Sequence, residues 1–146
     1  MDSVNSVFIS YSHKDEKLLK GLKRHFTALN GKVDFWDDSQ ILAGMKWEKE
    51  IKSALSKAKV AVLLISADFF NSSYIMKNEL PVLLDAEKKD VKILSVILKP
   101  CLFTLYPQLS NFQCINDPSK TVIQMNEAER EIVWMKLITR INELIG

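Results

Sequence analysis

Residues 72–84 read SSYIMKNELPVLL, and one member of that run is out of place. On a helix the side chains one turn from Glu79 are Ile75, Met76, Val82 and Leu83, all apolar. A carboxylate on such a stripe gives up hydration, so it needs either a partner or a task. Capping does not account for it. With Ser73 as the cap, a capping box would put its acid at Met76, three residues on. Pairing with a buried Lys or Arg remains as the structural explanation, and a working carboxylate as the functional one. The local pattern leaves the two level.

Several chemistries are excluded by what the chain lacks. No GxGxxG follows the first apolar run and there is no Walker A sequence, so a glycine loop does not cradle a dinucleotide or triphosphate here. A phosphoryl-accepting receiver would end its first and third strands in acidic residues. This chain ends them in Ser10-Tyr11-Ser12 and Ser66. His13 and His25 are the only histidines, and neither stands at metal-ligand spacing from a cysteine, so His25 reads as a helix-surface residue and no metal is expected. The Gly-x-Ser-x-Gly elbow of serine hydrolases is absent. What remains is Glu79, a long loop after the second strand, and serines and aromatics at the same ends of the strands.

The bulk composition is that of an ordinary globular domain. The chain has 146 residues, of which 47% are hydrophobic and 26% charged. A net charge of +2 makes no case for nucleic acid or an anionic membrane as partner. Lys14, Lys17, Lys20, Lys23 and Arg24 recur at helical spacing and read as a solvated face. No apolar run approaches the ~18 residues of a membrane span. Cys101 and Cys114, without a signal peptide, point to free thiols and a cytoplasmic location.

Glu79 is positioned by elements whose periodicity is legible. Strands are expected at 7–11 (VFISY), 33–36, 60–65 (VAVLLI), 91–98 (VKILSVIL) and, more weakly at an edge, 112–116 (FQCIN). Helices are expected at 15–29, ended by Asn30-Gly31, and at 47–57 with Trp47, Ile51, Ala54 and Leu55 inward. Others follow at 73–88, bent by Pro81, and at 127–145. Alternating strands and helices imply parallel pairing with helices on both faces. The expectation is a single α/β domain: a doubly wound, flavodoxin-like five-stranded parallel sheet ordered 2-1-3-4-5. Ligands in such sheets sit outside the carboxyl ends of the strands. That rim gathers SYSHKDE, DDSQILAGMKW and SADFFNSSYIMKNE, the last containing Glu79.

These three rim segments together resemble the Toll/interleukin receptor (TIR) domain family, in the style of its bacterial members. VFISYSHKDE is similar to the family's first box and FWDDSQILAGMKWEKEI to its second, the BB loop. LLISADFFNSSYIMKNEL resembles the strand and helix that carry the family's Ser…Glu-Leu signature. The likeness is specific over about residues 5 to 100; beyond that only a strand-then-helix order is shared. It implies that residues 1–146 form one TIR domain.

Many members cleave NAD+ at the nicotinamide–ribose bond, and their catalytic glutamate carries over to Glu79. Nicotinamide leaves a pyridinium as a neutral molecule, so it needs no acid. One carboxylate can hold the ribose hydroxyls and stabilise an oxocarbenium-like transition state. The resemblance implies NAD+ as substrate, no other cofactor, and hydrolysis or cyclisation of ADP-ribose. It implies nucleotide contacts from Tyr11 and Ser12, and from Ile41, Leu42, Ala43 and Gly44 of the BB loop. The family's aromatic four residues before the glutamate is replaced by Ile75, which leaves Tyr74 or Phe70 as the stacking side chain. Basic residues that some members carry after the first strand are replaced by Ser12 and His13. Other TIR domains are expected as partners through homotypic self-association, with immune signalling against phage as the setting. The competing expectation is a TIR–TIR interaction module without turnover; non-enzymatic members commonly lack the glutamate that this chain has.

Overall fold

The structure is a computed structural model that describes residues 5–29, 31–37 and 46–145. Five parallel strands form one sheet in the order β2-β1-β3-β4-β5. They are β1 (Asn5–Ser10), β2 (Val33–Trp36), β3 (Ala58–Ile65), β4 (Lys92–Ile97) and β5 (Gln113–Cys114). The expected topology and strand order are therefore present. Helices α1 (Glu16–Lys23) and α6 (Glu127–Ile145) cover one face, and α2 (Trp47–Lys57), α3 (Ala67–Asn71) and α4 (Leu80–Glu87) the other. A short α5 (Pro107–Ser110) precedes β5.

Both faces are buried because alternate residues of each central strand feed separate cores. Val7, Ile9, Val60, Val62, Leu64, Leu94 and Val96 meet Leu19, Leu22, Trp134 and Leu137 of α1 and α6. Phe8, Ala61, Leu63, Ile65, Ile93 and Ile97 meet Ile51, Leu55, Phe69, Ile75, Leu80 and Leu83. Two-sided burial is why β3 and β4 read as unbroken apolar runs rather than alternating ones. In β3 only Lys59 is exposed.

The bounds of α2 and α6 match the periodicity, whereas four other expectations need correction. The helix expected over 15–29 is α-helical only to Lys23; Arg24–Leu29 tightens into a 3-10 turn. There Phe26 stacks on Phe35 of β2, with ring centroids 3.7 Å apart. His25 is half-buried rather than a plain surface residue: it and Arg24 both reach Glu131 of α6, each at 2.5 Å. A short helix that the periodicity did not mark, α3, is started by Ser66, whose Oγ accepts the Phe69 N–H at 3.0 Å.

The helix expected over 73–88 is capped by Ser72, whose Oγ accepts the Ile75 N–H at 3.2 Å. It then widens into a π turn over Ile75–Glu79, where the Leu80 N–H reaches back five residues to the Ile75 carbonyl. Pro81 follows at once and explains the widening: it has no N–H, and its ring would press on the carbonyl four residues back in a tight coil. The fifth strand shrinks from the expected 112–116 to two residues because Asn116 stands in for further pairing. Its amide accepts the Ile97 N–H at 2.9 Å and donates to the Ile97 carbonyl at 3.0 Å and to the Lys120 carbonyl at 3.1 Å.

Candidate functional site

At the carboxyl ends of the strands lies a cavity of about 620 Å³, within the ~300–1,000 Å³ range of small-molecule sites. One wall is the connection from β1 to α1: Tyr11, Ser12, His13 and Lys14. The other runs from α3 to the start of the π turn: Asp68, Asn71, Ser72, Ser73, Tyr74 and Ile75. Two segments far apart in sequence thus face each other where a doubly wound sheet binds ligands.

The first wall is held by its own hydrogen bonds. Ser12 Oγ accepts the Lys14 N–H at 3.3 Å, and the Asp15 N–H donates to the Ser12 carbonyl at 2.8 Å. Tyr11 is buried and packs with the α1 and α6 core, its ring 5.5 Å from the His13 ring. His13 and Lys14 are exposed, so the mouth offers a cation and an imidazole. In the second wall the Ser72 cap leaves early backbone N–H groups of the following helix turned towards the cavity end of the helix, the end that favours negative charge.

Of the residues singled out by sequence, Tyr11, Ser12, Tyr74 and Ile75 come together here. Ile41, Leu42, Ala43 and Gly44 lie outside the described residues. Phe70 is turned away from the cavity: its ring stacks on Tyr106, centroids 4.0 Å apart and planes within 4°. Glu79 is 1% exposed and does not line the cavity. It closes the π turn that the wall residue Ile75 opens, with Leu80 and Leu83 of the same helix in the core beside it.

Sequence reasoning missed a charged cluster beside the cavity, centred on the buried Asp15. The Asp15 carboxylate, fully buried, accepts a hydrogen bond from Ser66 Oγ at 2.5 Å and meets Lys99 Nζ at 2.6 Å. Lys99 also approaches Asp68 at 3.6 Å. Its ammonium pKa is raised, first by the hydrogen bond to Asp15 and then by the charges of Asp15 and Asp68, against an opposing effect of burial. Asp15 stands at the start of the helix expected over 15–29, where an acidic residue is ordinary. The available signal was Lys99, a charge directly after the buried strand and before Pro100.

Among the described residues no group of three or more His, Cys, Asp or Glu side chains is placed to hold a metal ion. No described helix is long and apolar enough to cross a membrane.

A profile of the TIR domain family matches residues 7–131. The chain belongs to the TIR domain family. The TIR domain of the Toll-related receptor TRR-2 from Hydra magnipapillata superimposes with a TM-score of 0.65, covering 93% of this chain and 97% of that one at 16% identity. The diflavin flavoprotein A3 from Nostoc sp. gives 0.55 over 97% of both chains at 12% identity. At such identities these likenesses describe the fold alone, which is flavodoxin-like. A protein from Sinorhizobium fredii, y4lF, is 31% identical over 99 residues. That match spans 66% of this chain but only 31% of the length of the relative. TIR domains include NAD+-cleaving enzymes and signalling scaffolds, and they commonly self-associate.

Proposed function

We propose that this TIR domain cleaves NAD+ at the nicotinamide–ribose bond, releasing nicotinamide and either ADP-ribose or a cyclic isomer of it, with Glu79 as the catalytic carboxylate. The observation that carries the reading is the π turn itself: Glu79 closes it, and the residue that opens it, Ile75, walls the cavity. π turns recur at functional sites because they re-aim a side chain that an ideal helix would point elsewhere. In a low-dielectric setting one carboxylate stabilises an oxocarbenium-like sugar strongly. The departing nicotinamide is neutral, so a second, proton-donating carboxylate is not needed.

In this reading Tyr11, Ser12, Tyr74 and Ile75 contact the dinucleotide, together with Ile41, Leu42, Ala43 and Gly44. Attack by water on the ribosyl centre gives ADP-ribose; attack by the adenosine half gives the cyclic product. Self-association brings the 41–44 segment of one copy to the cleft of the next, a head-to-tail contact that propagates. The setting is cytoplasmic immune signalling in a bacterium.

One observation favours the alternative of a non-enzymatic TIR–TIR interaction module. Glu79 is 1% exposed and off the cavity wall, as a purely structural carboxylate would be. Nicotinamide release at high protein concentration, for wild type beside Glu79→Gln, separates the two. Turnover lost in a folded variant supports the enzyme, and the second product names hydrolase or cyclase. Turnover retained in Glu79→Gln removes the assignment. No turnover in wild type under conditions that drive self-association leaves the interaction module.

A further inference from the structure

We propose that Lys99 is a positioning residue that clamps the two walls of the cavity together through Asp15 and Asp68. Three strand ends converge on its ammonium. Asp15 directly follows the wall residue Lys14 in the connection after β1. Asp68 belongs to the opposite wall, after β3. Lys99 itself stands two residues beyond β4. The distances are 2.6 Å to Asp15 Oδ1 and 3.6 Å to Asp68 Oδ2.

Ser66 adds a second stitch between the same walls. Its Oγ donates to Asp15 Oδ2 at 2.5 Å and accepts the Phe69 N–H at 3.0 Å, so the hydroxyl that starts α3 also grips the β1 connection. The two arms differ in character. The Asp15 side chain is fully buried and depends on Lys99 for compensation of its charge, whereas Asp68 and Lys99 are each about one-third exposed. The inner arm therefore holds the clamp and the outer arm sets where the α3 wall rests against it. A group that spaces two walls governs how well a ligand is gripped between them, even though it does not line the cavity itself. The clamp stands on geometry alone; its effect on NAD+ rests on the function proposed above.

The test uses Lys99→Met combined with Asp15→Asn, which removes ammonium and buried carboxylate together, beside Lys99→Arg and Asp68→Asn. Amide hydrogen exchange is read over residues 11–14 and 68–75, and NAD+ cleavage is measured in parallel. Expected for the double variant is about tenfold or faster exchange in both segments, with β3 and α6 unchanged. KM for NAD+ should rise about tenfold with a smaller change in kcat, and Lys99→Arg should recover most of it. Asp68→Asn changes a one-third-exposed side chain without stranding a buried charge, and should accelerate residues 68–75 and leave 11–14 as they are. Wild-type exchange in either segment of a folded double variant, or in 68–75 of Asp68→Asn, would overturn the clamp. If wild type cleaves no NAD+, the enzymatic reading fails and the exchange data alone decide the clamp.

Discussion

Phe70 and Tyr106 lie face to face, ring centroids 4.0 Å apart with planes 4° from parallel, and Phe69 meets Phe70 edge-on at 5.4 Å. The stack ties α3 to the residue that opens α5, and it occupies one of the two aromatics available for ligand stacking. Paired rings of this kind contribute about 0.5–1.5 kcal/mol beyond their area burial. A double-mutant cycle with Phe70→Ala and Tyr106→Ala should return a coupling of that size in denaturant unfolding. A coupling near zero would show that the rings merely adjoin.

Of Tyr74 and Phe70, Tyr74 is the one the proposed function assigns to stacking, since it lines the cavity and Phe70 does not. Tyr74→Ala should raise KM for NAD+ about tenfold or more while Phe70→Ala acts chiefly through stability. Equal KM values for the two variants, corrected for folded fraction, would contradict this division.

Asn116 offers a test of the fold rather than of the site. Its side chain satisfies both backbone groups of Ile97, a fully buried strand residue, and the Lys120 carbonyl. Asn116→Ala strips these partners at once, and an unsatisfied buried backbone group costs about 1–3 kcal/mol. The expected loss is about 2–4 kcal/mol by chemical denaturation. Asn116→Asp should be no milder, because it keeps the acceptor but aims a carboxylate at two carbonyls. A loss below about 1 kcal/mol in Asn116→Ala would mean that water replaces the amide.

Asn116 also marks where sequence reading stops. Its role is long-range: nothing within FQCIN says that one amide will close the sheet edge in place of strand pairing. Elements governed by one period were legible, as α2, α6 and the apolar runs of β3 and β4 attest. The π turn was half legible, because Pro81 announces a disturbance but not its form. Helix α3 was hidden since five residues carry too little periodicity to register. Within the site, Tyr11, Ser12, Tyr74 and Ile75 could be gathered because each belongs to a rim segment defined by topology. The Asp15–Lys99 pair could not, because it joins residues 84 apart whose types are ordinary on a surface.

The two cysteines carry a prediction about reactivity. Cys101 and Cys114 are free, half-buried thiols, and burial pushes both above the ordinary thiol range, with a backbone hydrogen bond at Phe103 partly opposing the shift in Cys101. The thiolate is the nucleophile, so a raised pKa lowers the reactive fraction at any pH below it. Alkylation of both in the native protein at pH 8 should be slower than that of a small-molecule thiol, and should speed up in denaturant. Native rates matching the small thiol would contradict the burial of either sulfur.

Pro81 gives the sharpest link from backbone to proposed chemistry. The π turn over Ile75–Glu79 sits where a proline ring would otherwise press on the Lys77 carbonyl, and the extra residue in that turn decides how Glu79 is rotated against the wall residue Ile75. Pro81→Ala restores the N–H and removes the ring. The coil is then free to tighten to four-residue bonding, which is the more favourable register for an ordinary sequence. Stability should hold or rise, by up to about 1 kcal/mol, since alanine is the better helix former. If the proposed function holds, NAD+ cleavage should nevertheless fall about tenfold or more, because the π turn sets how the Glu79 carboxylate is aimed relative to the cavity wall. Amide exchange of Leu80 reports the register and nicotinamide release reports the chemistry. A tightened turn with full activity would detach the π geometry from function. An unchanged turn would assign its origin to packing around Ile75 and Leu80 instead of to the proline.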